Sequence, residues 1–244
     1  MNENIKSANP LGTQKESKLL VKFAIPCIIS MLVTALYNIV DQIFIGQGIG
    51  INGNAATNIT FPLSTTCTAI SLLLGIGSAT NVSLKLGAKE EEEAANYAGC
   101  GICLMTIFGL ALFAFTSILL TPMLKFFGAT AEVLPYAQEY TRIVAIGFPF
   151  LIANTGMSKL ILGKGIKHIA LILGRIGAIV NTILDPIFIF TLDMGMRGAA
   201  LATILGQIVS FCISLRYMFH FKTIRLRRRC FRIRGNNFAN IMRL

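Results

Sequence analysis

LLVKFAIPCIISMLVTALYNIVDQIFI, Leu19 to Ile45, holds two charged side chains in 27 residues, Lys22 near its start and Asp41 near its end. A helix of about 20 apolar residues crosses the hydrocarbon core of a bilayer, so this run is long enough to cross with tilt. Pro26 is placed to kink it. Five more apolar runs follow, with polar breaks between them: Ala56–Leu84, Ala94–Leu120, Tyr136–Ile161, His168–Phe190 and Gly198–Phe219. Lipid offers no hydrogen bonds to a bare backbone, so each run must be helical. The fold class that follows is all-α, a polytopic membrane protein built as a six-transmembrane-helix bundle. Residues 1–18 form a polar N-terminal segment, 19–220 the bundle, and 221–244 a basic tail.

Composition agrees. The chain is 54% hydrophobic and only 14% charged, against about 25% charged in soluble domains. Residues 1–17 carry no apolar stretch of the signal-peptide kind, so the first span is expected to serve as its own insertion signal. The net charge of +11 would suit a nucleic-acid binder, but its placement argues against one. Nine of the 22 basic residues fall between Arg216 and Arg243, in the last turn of the sixth run and beyond it, and most others flank spans. The N-terminal segment and the stretches 85–93, 159–168 and 221–244 are rich in Lys and Arg. The alternate stretches, 46–55, 121–135 and 191–197, hold only Lys125 and Arg197. That asymmetry predicts a multi-pass protein of the plasma (inner) membrane with both termini cytoplasmic, touching anionic membrane lipids and no nucleic acid.

Two motifs read as structural. Cys100 and Cys103 form a CxxC in a small, apolar setting without a nearby His, and are expected to pack as small hydrophobes. Glu90 to Glu93 are consecutive, so they fan around a helix and cannot converge on a metal; negative charge at a helix N-terminus is favourable by itself.

Acids inside the spans are a different matter. Each charge at a helix centre costs about 2.5 kcal/mol or more, which makes an intramembrane aspartate a functional candidate. Asp41 lies 22 residues after Leu19 and Asp185 lies 17 after His168. At 1.5 Å per residue these are depths of about 33 and 26 Å, both in the outer half. Thr203, five residues into the inward-running sixth span, falls at a similar level. Tyr37 shares a helix face with Asp41, and Asn181 shares one with Asp185. Pro186 removes an N–H and frees a carbonyl nearby, and Gly198-Ala199-Ala200 permits close helix approach. Oxygen donors of this kind suit a hard cation, Na⁺, while two acids repelling each other in lipid are equally relieved by H⁺. No other cofactor is implied.

The segments 37–46 (YNIVDQIFIG), 53–56 (GNAA), 181–190 (NTILDPIFIF) and 195–203 (GMRGAALAT) resemble the multidrug and toxic compound extrusion (MATE) family. The resemblance runs from about Leu19 to Phe219. It implies a transporter rather than an enzyme: one six-helix lobe of a twelve-helix antiporter that exports cationic or amphipathic drugs against Na⁺ or H⁺. By that similarity Asp41, Asn181, Asp185 and Thr203 are the cation-coupling residues, and the metal ligands if the ion is sodium. Tyr37 and Asn154 are neighbours in the same polar network, with Asn154 nearer the inner side.

The chain departs from the family in three ways. It carries one lobe, so a second lobe or a homodimer partner is expected. It reads Leu162-Gly163-Lys164-Gly165 where the family has an Arg-Ala-Asp/Glu-Gly motif. It places Arg175 where relatives are apolar or small. A half-length or truncated chain is therefore the expectation, with a nonfunctional truncated lobe, or a lipid or polysaccharide flippase on a related scaffold, as alternatives. An intramembrane aspartyl protease also uses two membrane acids, but the Gly-x-Gly-Asp of those enzymes is missing at Asp185.

Overall fold

A computed structural model describes residues 16–163, 167–219, 230 and 235–242. Among these residues all regular structure is helical. The order is α1 (Glu16–Gly48), α2 (Ile51–Gly87), α3 (Glu91–Ile118), α4 (Leu120–Phe126), α5 (Leu134–Ile146), α6 (Phe148–Gly163), α7 (Lys167–Pro186), a π-helical turn (Ile187–Thr191), α8 (Gly195–Phe219) and α9 (Gly235–Met242). Among the described residues, α2, α3 and α8 are each long and apolar enough to cross a bilayer, and the bent pair α5–α6 is so when its two halves are taken together as one span. The expected first span lies within the 33 residues of α1. The described part of the expected fifth, Ile176–Thr191, is apolar but shorter than a full crossing.

The single span expected over Tyr136–Ile161 is instead broken at Gly147, and its halves meet at 53°. Pro149, in the first turn of α6, has no N–H to return to the Ala145 carbonyl, and Gly147 has no side chain to resist the turn. The break is packed into place: a Cβ on Gly109 of α3 would stand 2.6 Å from the Pro149 Cα. The predicted fifth span also changes character at its end. After Pro186 the chain widens into the π turn, closed by Leu192 N–H donating to the Ile187 carbonyl at 3.0 Å. The segment 121–135, expected as a connection, holds most of the short helix α4.

The core lies where α2, α3 and α6 pack together, around Leu74, Met105, Ile152 and Met157. Lipid is as apolar as leucine, so close backbone approach drives this association rather than burial from water. A Cβ on Gly75 of α2 would sit 2.8 Å from the Cα of Gly156 on α6. Cys67 and Cys100 are buried in this core and Cys103 is half-buried beside it. In contrast, α1 exposes Met31, Leu32, Leu36 and Ile39, a surface that suits lipid or a second helical unit.

Glu91, Glu92 and Glu93 occupy the first turn of α3, as the sequence predicts. Lys85, at the end of α2, pairs with Glu90 at 2.7 Å and Glu93 at 2.5 Å. At the same end, the stretch expected as a basic tail folds in part onto the bundle. Ile241 of α9 is buried, and Asn240 donates to the Tyr97 hydroxyl at 2.8 Å. The alternating basic stretch 222–234 lies outside the described residues apart from Cys230.

Candidate cation site

α7 and α8 set the site's geometry by touching at two glycines. A Cβ on Gly206 would stand 2.5 Å from the Gly177 carbonyl oxygen, so neither position tolerates a side chain without separating the helices. Near the start of α8 a Cβ on Gly198 would meet the Phe188 backbone at 2.9 Å, and Ala199 and Ala200 are fully buried. Small residues thus bring the two helices together where Asn181, Asp185 and Thr203 project.

The Asn181 amide donates to Asp185 Oδ1 at 3.0 Å and reaches Thr203 Oγ1 at 3.5 Å. The Thr203 hydroxyl donates to the Ala199 carbonyl at 3.0 Å, leaving its lone pairs for the interior. From α1, the Asp41 carboxyl stands directly against that of Asp185. Tyr37 lies one turn away among the same acids. All four residues predicted for the cation are therefore brought together, with Tyr37 beside them. Asp185 is 0% exposed and Asn181 2%.

Three buried acceptor oxygens of this cluster have no hydrogen-bond partner: Asp41 Oδ1, Asn181 Oδ1 and Asp185 Oδ2. An unsatisfied buried polar atom costs about 1–3 kcal/mol, and more when charged. Three together approach the roughly 5–15 kcal/mol that separates most folded proteins from unfolding. The unpartnered atoms are all oxygens, a donor set that suits a hard cation or a proton and not zinc. Among the described residues no group of three or more His, Cys, Asp or Glu comes together, at this cluster or elsewhere.

Asn154 stands apart from the acids. Its Oδ1 accepts from the Ser214 hydroxyl at 2.6 Å. A cavity of about 190 Å³ joins it to the cluster, lined by Tyr37, Asn154, Asn181 and Thr203 among others. Sequence reasoning missed four polar neighbours: Tyr140, whose hydroxyl stands against Thr203, and Gln207, Ser210 and Ser214 on α8. The last three continue from Thr203 in steps of four, three and four residues, a one-face spacing that was present in the sequence. Arg142 does not enter the bundle. It is exposed beside Arg197, which pairs with Glu139. Lys164 and the Arg175 side chain lie outside what is described.

A helical bundle with an acid pair and neutral oxygens buried between its helices has the form of an ion-coupled membrane transporter. The MatE family profile matches residues 26–187, two-thirds of the chain, and the chain belongs to that family. It is similar to the probable multidrug resistance protein YoeA of Bacillus subtilis, at 25% identity over 87% of this chain and 48% of the relative. The multidrug export protein MepA of Staphylococcus haemolyticus is 28% identical over 79% of this chain and 43% of its own length. An outward-facing structure of a multidrug resistance MATE transporter superposes with a TM-score of 0.83 at 29% identity, over 92% of this chain and 50% of that one. The chain spans about half the length of the relatives it matches. Membership of a transporter family sets aside the protease alternative.

Proposed function

We propose that this chain is the N-terminal lobe of a cation-coupled drug exporter, in which Asp41, Asn181, Asp185 and Thr203 bind Na⁺ or H⁺ in exchange for the drug. The observation that carries the reading is the trio of partnerless oxygens on Asp41, Asn181 and Asp185. A cation entering there satisfies all three at once, and its departure restores the repulsion between two facing carboxylates. Binding energy of that size is what a transporter needs to bias one conformation over another. The two acids sit on helices of unequal freedom, α7 packed against α8 and α1 largely exposed. Cation uptake therefore draws α1 toward α7, and release loosens it. A second six-helix unit, from another chain or another copy of this one, completes the drug cleft against α1. Similarity to two proteins named for multidrug resistance and export supports drugs as the cargo. The Lys-rich and Arg-rich stretches support a plasma-membrane protein with both termini in the cytoplasm.

The test is efflux of a fluorescent lipophilic cation from drug-sensitive cells. The chain is expressed alone, as a tandem of two copies, and together with a separate six-span lobe. Export is expected in at least one two-lobe arrangement and is expected to stop when both Na⁺ and H⁺ gradients are collapsed. Export that persists without either gradient contradicts the coupling.

A further inference from the structure

A turn at Gly50, whose φ of 92° suits glycine, joins the end of α1 to the start of α2. Gly46 lets the two helices close up beside it, since a Cβ there would stand 2.8 Å from Asn54 Nδ2. One turn further in, the Gln42 amide of α1 donates to Thr57 Oγ1 of α2 at 3.1 Å. Thr57 is buried. Its hydroxyl stands closer to the Asn54 carbonyl, at 2.9 Å, than to Gln42 Oε1, at 3.3 Å. The Thr57 proton therefore goes to Asn54, and its lone pairs are left to receive the Gln42 N–H. Gln42 follows Asp41 in the chain, and its side chain lies beside the Asp41 carboxyl. Consecutive residues on a helix point about 100° apart. With Gln42 held on α2, Asp41 is turned to another neighbour, and that neighbour is Asp185 of α7. Such a tie matters on α1, which leaves Leu32, Leu36, Ile39 and Ile43 exposed. Its outer tip is gripped by apolar contacts, Phe44 edge-on to Phe190 and Gly48 against Ile189. Apolar contact has no direction and resists rotation weakly, whereas a hydrogen bond is directional. Side chains reach about 5–6 Å from a helix axis, so a rotation of about 20° carries a carboxylate by about 2 Å. That is enough to take an oxygen out of bonding range.

We propose that Gln42 and Thr57 are positioning residues for the cation site: their hydrogen bond ties α1 to α2 and holds the Asp41 carboxyl opposite Asp185. Neither residue binds the ion. They set the rotation of α1, so the site is built from α2 as well as from α1, α7 and α8. The inference rests on the coupling role proposed above and adds what aims one of its two acids.

Equilibrium binding of sodium to the purified full chain, with proton release followed in parallel, tests it in variants that elute as a single folded species. Thr57→Val keeps the side chain's shape and removes the hydroxyl, and is expected to weaken cation binding about five-fold, the worth of one buried hydrogen bond. Thr57→Ser restores the hydroxyl and is expected to bind as the unsubstituted chain does. Thr65→Val is the control, because the Thr65 hydroxyl is exposed and donates only to the Phe61 carbonyl of its own helix; no change is expected there. Gln42→Leu is expected to weaken binding as much as Thr57→Val and carries the test if Thr57→Val does not fold. The two together are expected to be within about two-fold of either alone, since both remove one and the same bond. Affinity unchanged in Thr57→Val and Gln42→Leu overturns the positioning role. So does an equal loss in Thr57→Ser, which would mark a packing effect, or a double variant whose loss is the product of the single ones. Asp41→Asn is read separately. If it abolishes binding while Thr57→Val and Gln42→Leu bind normally, the positioning role fails alone; if it binds unchanged, the coupling role fails and takes the positioning role with it.

Discussion

The chain carries two acidic clusters, and they differ in every property except charge. Glu90 to Glu93 cap α3 at the bundle's end, exposed, in the favourable field of a helix N-terminus, with Lys85 paired to Glu90 and Glu93. Asp41 and Asp185 face each other inside the bundle, each with a buried oxygen that nothing satisfies. The first cluster is four acids already at rest. The second is two acids whose environment is incomplete. On the function proposed above, unmet demand for positive charge, rather than the number of carboxylates, is what sets the second cluster apart.

Substitutions test that contrast most severely where the demand is greatest. In a functioning two-lobe arrangement, Asp41→Asn and Asp185→Asn are each expected to abolish gradient-driven efflux while leaving membrane expression intact. Wild-type efflux in both would erase the distinction between the clusters. Gly206→Leu is next in size. It forces α7 from α8, separates Asn181 from Thr203, and is expected to lower cation affinity about ten-fold and stability by about 1–3 kcal/mol, read by ion binding and thermal unfolding in detergent. Thr203→Ala removes one neutral oxygen worth about 1 kcal/mol. A roughly five-fold weaker affinity is expected, with unfolding unchanged. Converting Glu90 to Glu93 together to Gln is the smallest. Exposed pairs contribute at most about 1 kcal/mol each, so efflux is expected to change less than about two-fold, and a complete loss would show that the α3 cap has a transport role.

The sequence made the acid pair legible because charged residues are so rare in its apolar runs that depth counting alone placed Asp41, Asp185 and Thr203 at one level. The helical class was equally plain, since lipid permits little else for such runs. The bend at Gly147 was not. Pro149 signals a break, but its 53° angle depends on Gly109 and Gln207 packing around it, which are contacts between distant segments. Tyr140 went unnoticed for the same reason, because its approach to Thr203 is a contact between helices distant in the sequence. Gln207 and Ser210 were readable by spacing. Yet serines in membrane helices commonly satisfy themselves on the preceding turn, as Ser71 does here. Only the three-dimensional arrangement distinguishes Ser210, whose hydroxyl finds no such partner.

Equilibrium binding of radioactive sodium to the purified chain, measured across pH with proton release followed in parallel, tests the central claim most directly. One cation or proton per chain is predicted to occupy the acid pair, with the two competing. Binding is predicted to vanish in both Asp41→Asn and Asp185→Asn and to survive in the Glu90-to-Glu93 glutamine variant. Sodium binding and proton release that persist unchanged in either aspartate variant would contradict the account.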